Sequence, residues 1–152
     1  MKIGIISDIH GNITALNAVL SDFSEKNIDT IICCGDIIGI GGSPNKVINA
    51  VQEHCDYIIK GNHDMYPFCG DLDSEVAEVE KQLFFDTTTQ EQQSWLYKLP
   101  SYLYIEEHDI LVAHSKPNPD ESLGLQNGNA GVKPRDYTAY MSNVDAKYVT
   151  LG

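Results

Sequence analysis

The chain has 152 residues and a formal net charge of −12, from 10 basic and 22 acidic side chains. Hydrophobic residues make up 42% of the sequence, which is typical of a globular protein and argues against a disordered chain. So acidic a surface repels polyanions and disfavours duplex nucleic acid and anionic membranes as partners, and no apolar run reaches the roughly 20 residues that cross a bilayer.

The first 65 residues alternate between strand and helix patterns. Residues 2–7, 30–34 and 57–60 are predicted strands, because they are continuous apolar runs. Between them, Asn12 and the pair Ser43-Pro44 mark the starts of two amphipathic helices. The short links predict parallel strands with right-handed crossovers. The first strand begins at once, without a signal-peptide cleavage site, so we expect a cytoplasmic protein.

The second half combines helices with further strands. The acidic segment 70–80 contains one predicted helix, and Thr88 with Glu91 predicts a capping box at the start of another. Residues 102–105 and 110–113 are predicted strands joined by a hairpin turn. The remaining predicted elements are a loop, a helix and a last strand, over residues 117–129, 135–141 and 147–151. We interpret residues 1–152 as a single domain.

The four cysteines do not form a Cys-x-x-Cys pair, which excludes zinc-ribbon and thioredoxin-like sites. We expect them to be reduced thiols that pack as small apolar side chains. Cys33 and Cys34 are neighbours in a predicted strand, so their side chains should point to opposite faces of the sheet.

Polar clusters follow each of the first three predicted strands. Because the carboxyl ends of parallel strands meet at one edge of a sheet, we expect these clusters to converge in one crevice. Carboxylate oxygens together with imidazole nitrogens suit a divalent transition metal. Bound cations would also offset the repulsion between two neighbouring aspartates. The clusters are Asp8-Ile9-His10, Gly35-Asp36 and Gly61-Asn62-His63-Asp64.

These motifs resemble those of the calcineurin-like metallophosphoesterase superfamily, in its small prokaryotic branch. That superfamily carries Asp-x-His, Gly-Asp, Gly-Asn-His-Asp/Glu, a lone histidine after a later strand, and a final Gly-His-x-His. His114 follows the predicted strand 110–113 and matches the lone histidine. The resemblance implies an α/β fold, a two-sheet sandwich flanked by helices in the order αββα.

The resemblance also implies two divalent metal ions, drawn from Mn, Fe, Zn and Co, with Mn favoured. One ion would be held by Asp8, His10 and Asp36. The second would share Asp36 as a bridge and add Asn62 and His114.

By the same resemblance, the chain is a hydrolase of small phosphomonoesters or phosphodiesters. A hydroxide between the two metals would attack phosphorus in line. His63 would protonate the leaving oxygen or stabilise the charge on the phosphoryl group. Asp64 would either orient His63 or cap the turn. The sequence leaves the substrate and the oligomeric state open.

The chain departs from the superfamily pattern in two places. Ser115 follows His114 where the superfamily has glycine, and the histidines of Gly-His-x-His are absent after residues 149–152. We therefore expect a weakened metal site and a second sheet that lacks its C-terminal part. This departure motivates an alternative function, a non-catalytic binding scaffold with the same fold. A flavodoxin-like or receiver-type domain with an acidic pocket is a third interpretation, which accommodates Asp8 but gives no role to His10, Asn62 and His63.

Overall fold

The computed structural model describes residues 1–69, 75–115 and 147–152. These residues form two three-stranded sheets and four α-helices. The first sheet contains β1 (Ile3–Ile6), β2 (Thr30–Cys33) and β3 (Tyr57–Ile58), and the second contains β4 (Tyr102–Ile105), β5 (Ile110–Ala113) and β6 (Tyr148–Leu151). The helices are α1 (Ile13–Glu25), α2 (Pro44–His54), α3 (Glu75–Thr87) and α4 (Gln90–Lys98).

The first sheet has the predicted parallel arrangement, in the order β1-β2-β3, with α1 and α2 as the connections between strands. The predicted helix starts are confirmed. Asn12 caps α1, because its Oδ1 accepts a hydrogen bond from the amide of Ala15 at 3.0 Å. Pro44 is the first residue of α2, where its missing N–H leaves no hydrogen bond unmade.

The second sheet pairs β4 with β5 in antiparallel fashion and β5 with β6 in parallel. A short 3-10 segment, Glu106–His108, joins β4 to β5, and Asp109 completes the turn in the left-handed region with φ of 54°. The predicted hairpin is therefore confirmed. None of the described helices has the length and apolar character needed to cross a membrane.

Two hydrophobic clusters hold the layers together. One lies between the first sheet and the helices, with a buried residue from each of the four helices. The other joins the two sheets, where Ile32 and Ile59 pack with Val112. Cys33 belongs to the first cluster and Cys34, directly after β2, to the second, which confirms that these neighbours face opposite sides of the first sheet. All four cysteines are free thiols.

One predicted helix start is wrong by one residue. The capping box of α4 is formed by Thr89 and Gln92, not by Thr88 and Glu91: Thr89 Oγ1 accepts from the Gln92 amide at 3.2 Å, and Gln92 Oε1 accepts from the Thr89 amide at 3.0 Å. Thr88 is occupied elsewhere, since its hydroxyl donates to the carbonyl of Phe84 at 2.6 Å at the end of α3. The loop predicted at 117–129 and the helix predicted at 135–141 lie outside the described residues.

Candidate metal centre

The three polar clusters come together at the carboxyl-terminal edge of the first sheet. The loops after β1 and β2 are joined by backbone hydrogen bonds, from Asp8 to the carbonyl of Gly35 at 3.1 Å and from His10 to that of Asp36 at 2.9 Å. The loop after β3 joins them through the amide of His63, which donates to Asp36 Oδ1 at 2.9 Å. Asp36 is therefore the residue on which all three loops converge.

Three of the predicted ligands occupy the left-handed backbone region. The φ angles of Asp8, His10 and Asp36 are 54°, 46° and 52°. This region is unfavourable for most residues with a side chain, although Asp and His enter it more often than others. Such conformations persist where the surrounding structure enforces them, and they concentrate at functional sites.

Asp36 is almost fully buried, at 3% exposure, and is held as a carboxylate by its neighbours. Burial on its own would raise its pKa, but the hydrogen bond and charge of His114, together with the amide of His63, outweigh that effect. The pKa of Asp36 is lowered as a result. The remaining oxygen, Oδ2, lies 3.3 Å from His114 Nε2 and 3.7 Å from His10 Nε2.

Both histidines that face Asp36 present the same ring nitrogen to it. His114 donates from Nδ1 to the carbonyl of Cys34 at 2.8 Å, and His10 Nδ1 lies 3.3 Å from the carbonyl of Ile38. A backbone carbonyl at Nδ1 leaves Nε2 to bind a cation, which is the usual arrangement of histidine ligands. Burial lowers the pKa of His114, but Asp36 more than compensates and raises it to about 9.

The side chains form two overlapping groups of possible ligands. In each group the ligand atoms lie within 4.8 Å of one another, and Asp36 belongs to both. The mixture of carboxylate oxygen and imidazole nitrogen fits a divalent transition metal. The residues present therefore fit the ions that the sequence predicts. The groups are Asp8, Asp36 and His114, and His10, Asp36 and His63.

Asn62 lies between two residues that contact Asp36. On one side is His63, whose amide donates to Asp36, and on the other is Gly61. A Cβ on Gly61 would overlap Asp36 Oδ1, so only glycine allows the loop to approach this closely. The side chain of Asn62 donates from Nδ2 to the hydroxyl of Tyr66 at 2.9 Å.

Asp64 lies beneath the site and binds the backbone of two loops. One oxygen accepts the amides of Ile37 and Ile38 at 2.9 and 3.0 Å, and the other accepts the amide of Gly61 at 2.8 Å. Its side chain is fully buried, and burial raises its pKa to about 7. Of the two roles considered for Asp64, these contacts match the cap of a turn. Within the described residues, His63 Nδ1 is buried without a hydrogen-bond partner.

The motifs did not indicate Tyr66, which contacts both Asn62 and His63. Its position four residues after Asn62 is the spacing at which side chains meet along a helical turn. That spacing is the only signal in the sequence, and it becomes informative once the segment is known to turn.

Known proteins resemble this chain in sequence. The family model for calcineurin-like phosphoesterases matches residues 1–144. An uncharacterised protein of Methanocaldococcus jannaschii is 45% identical over 62 residues, covering 41% of this chain and 26% of that protein. A phosphodiesterase of the same organism is 38% identical over 40 residues, covering 26% of this chain and 24% of that protein. The matched segments thus span about a quarter of each relative.

The fold resembles a solved structure over the whole chain. The crystal structure of a metallophosphoesterase from Sphaerobacter thermophilus superposes with a TM-score of 0.76 at 28% sequence identity. The superposition covers 100% of this chain and 60% of that one, so the chain spans less than two thirds of its solved relative. This similarity confirms the predicted two-sheet α/β fold.

Proposed function

The chain belongs to the calcineurin-like phosphoesterase family, and we propose that it is a hydrolase of small phosphomonoesters or phosphodiesters that depends on two divalent metal ions. The observation that carries this proposal is the convergence of carboxylate and imidazole groups on the buried Asp36. Two overlapping groups that share one carboxylate are what a pair of neighbouring cations requires.

We assign the ligands to the two ions as the family resemblance implies. This division differs from the two groups in the structure, where Asp8 lies with His114 and His10 lies with His63 around Asp36. Asp8, His10 and Asp36 hold one, while Asp36, Asn62 and His114 hold the other. The membership of Asp36 in both groups supports its role as the bridge. When bound, two such ions polarise a phosphoryl group and lower the pKa of a water molecule beside them. Mn²⁺ is the ion that we propose to test first.

His63 is the proposed proton donor to the leaving oxygen. Its ring lies beside the cluster, with its centroid 4.6 Å from that of His10 in an edge-to-face arrangement. A side chain in that position lies beside the proposed ligands, and an imidazole is a common general acid in catalysis. Asp64 acts indirectly, because its carboxylate holds the loops that carry Asp36 and His63.

The charge of the protein is part of the proposal. With a net charge of −12 and carboxylates at the site, the metal-free protein repels a phosphorylated substrate. Bound cations reverse that repulsion at the one place where the phosphoryl group must lie. Metal ions therefore serve binding as well as chemistry, and the metal-free protein should bind phosphate esters poorly.

The experiment is hydrolysis of p-nitrophenyl phosphate and of bis-p-nitrophenyl phosphate with Mn²⁺ added to chelator-treated protein. We expect activity that EDTA abolishes. Asp36→Asn removes the shared carboxylate and should lower the rate at least 100-fold. His63→Ala should lower it by about 10²–10⁴-fold, as is typical for loss of a general acid.

Two exposed residues supply matched controls. Asp22→Asn lies on α1 and His54→Ala at the end of α2, and both should leave the rate unchanged. Activity that survives Asp36→Asn and His63→Ala would refute the proposal. Binding of Mn²⁺ without hydrolysis of either ester would instead favour the non-catalytic scaffold.

A further inference from the structure

A tyrosine outside the recognised motifs contacts two of the proposed site residues. Tyr66 begins a 3-10 segment, Tyr66–Phe68, directly after the loop that carries Asn62 and His63. The backbone turns tightly there, since the amide of Tyr66 donates to the carbonyl of His63 at 3.3 Å. The turn brings the side chain of Tyr66 back towards the residues three and four positions earlier.

The hydroxyl of Tyr66 holds one end of the Asn62 side-chain amide. Asn62 Nδ2 donates to that hydroxyl at 2.9 Å, so Oδ1 is the end of the amide that this bond does not engage. The carbonyl oxygen can bind a cation, whereas the NH₂ group carries positive hydrogens and cannot. The two ends are nearly equal in size, so packing alone does not distinguish them. In the hydrogen bond formed here the hydroxyl is the acceptor, so the NH₂ group is the end directed at Tyr66.

The ring of Tyr66 covers one side of His63. The two ring centroids are 4.7 Å apart with a tilt of 47°, and the His10 ring lies against His63 at 4.6 Å. His63 therefore packs against two other rings. A side chain confined in this way keeps the position that proton transfer requires.

The segment that carries Tyr66 is anchored to the helical layer. Pro67 is buried, and the Phe68 ring packs edge-on against Phe84 with centroids 5.7 Å apart. Phe84 is 1% exposed and belongs to the cluster between the first sheet and the helices. The position of Tyr66 is thus set by the packing of α3 as well as by the loop.

We propose that Tyr66 is a positioning residue of the metal centre: its hydroxyl turns the oxygen of Asn62 towards the cations, and its ring holds His63 beside them. The metal-binding part of this inference rests on the proposed function. It adds a residue that acts through its neighbours and need not touch either metal or substrate.

Tyr66→Phe separates the two roles, because it removes the hydroxyl and keeps the ring. In Mn²⁺ titrations of the 152-residue chain, we expect one of two ions to bind about tenfold more weakly, as is typical when a group that orients a ligand is lost. We expect kcat to fall and KM to change little. In metal-free protein, the side-chain NH₂ resonance of Asn62 should shift in an NMR spectrum. Tyr66→Leu removes the ring too, and should lower kcat further and alter its pH profile.

Tyr102→Phe is the matched control, because Tyr102 is 56% exposed on β4, and it should behave as the wild type. Wild-type Mn²⁺ affinity at both sites and an unshifted Asn62 resonance in Tyr66→Phe would overturn the inference while leaving the proposed hydrolase intact. Conversely, a wild type that binds Mn²⁺ but hydrolyses no ester overturns the hydrolase, and weaker binding in Tyr66→Phe would still support Tyr66. A wild type that binds no Mn²⁺ overturns both.

Discussion

Asp64 illustrates, at the scale of single residues, how a motif side chain can hold together the loops of a candidate site. Its carboxylate is the acceptor for three buried backbone amides from the loops after β2 and β3. Asp64→Ala leaves these amides without a protein acceptor, at about 1 kcal/mol or more each. We expect the free energy of unfolding of the metal-free protein to fall by about 3 kcal/mol or more, as measured by urea denaturation.

Asp8→Asn is the control for that substitution. The Asp8 side chain is 51% exposed, and asparagine tolerates its left-handed backbone, so stability should change by less than about 0.5 kcal/mol. Mn²⁺ binding should weaken nonetheless. An equal loss of stability in the two variants would contradict the structural role given to Asp64.

Two buried groups should make the metal-free protein less stable as the pH rises. The pKa of Asp64 is raised to about 7, so between about pH 4 and 7 the native state keeps a proton that the unfolded state has lost. The pKa of His114 is raised to about 9, so its stabilising charge is fully present below about pH 6.5 and lost as the pH approaches 9. Both effects lower stability with increasing pH.

Urea denaturation in EDTA from pH 5 to 9 measures this dependence. The part due to His114 is at most about 3.5 kcal/mol, since its pKa rises from 6.5 to about 9 and one pKa unit corresponds to about 1.4 kcal/mol. His114→Gln should remove the fall between pH 7 and 9 and keep the fall between pH 5 and 7. A wild-type profile that is flat or rises over this range would show that the two shifts are absent.

The identities of the clustered residues could be predicted from the sequence because the carboxyl ends of parallel strands must meet. The hydrogen bonds that these residues form could not be predicted from the sequence. Asp64 was compatible with two roles, and the choice between them depends on where the amides of Ile37 and Ile38 point. Tyr66 was missed because its contact with Asn62 exists only after the chain turns into a 3-10 segment.

At the scale of elements, the start of α4 offers a direct test. Thr89 caps the helix, so Thr89→Ala should lower the free energy of unfolding by about 1 kcal/mol. Glu91 is exposed in the first turn, and Glu91→Gln should change it by less than about 0.5 kcal/mol. Thermal or urea unfolding of the two variants measures the difference. A larger loss for Glu91→Gln than for Thr89→Ala would place the cap one residue earlier.

The order of strands and helices in the first half was predictable because apolar periodicity and caps agree there. The first residue of α4 was less predictable, because Thr88 and Thr89 are equally good candidates for the helix cap when only the local sequence is considered. Tertiary contacts choose between them: Gln92, which is buried, donates from Nε2 to the carbonyl of Asn45 at 3.0 Å and to Asn49 Oδ1 at 2.7 Å. These hydrogen bonds to α2 fix the residue at which α4 begins. They join residues far apart in the sequence, so the local sequence pattern cannot predict them.

At the scale of the whole molecule, the net charge of −12 predicts a specific response to cations. Sodium chloride only screens repulsion between exposed carboxylates. Mn²⁺ at 100 times its Kd would also add about 2.7 kcal/mol by binding the native state, or about 5–10 °C in Tm for a chain of this size. Thermal unfolding at matched ionic strength compares the two salts.

Asp36→Asn is the control for this comparison. It removes the carboxylate shared by the two ligand groups, so the extra stabilisation by Mn²⁺ should be largely lost while the response to sodium chloride remains. If Mn²⁺ raised the Tm of Asp36→Asn as much as that of the wild type, the cations would be acting on the surface at large.

The adjacent cysteines at the end of β2, Cys33 in the strand and Cys34 directly after it, pack on opposite faces of the first sheet, one against the helices and one against the second sheet. Burial raises the pKa of the Cys34 thiol, and a hydrogen bond with Cys55 together with burial raises that of Cys33. A thiol reagent should therefore modify each only when its own side of the strand opens. The alkylation rate of Cys33 would measure opening between the first sheet and the helices, and that of Cys34 opening between the two sheets. Comparing the two rates would show which opening occurs first, without an introduced cysteine.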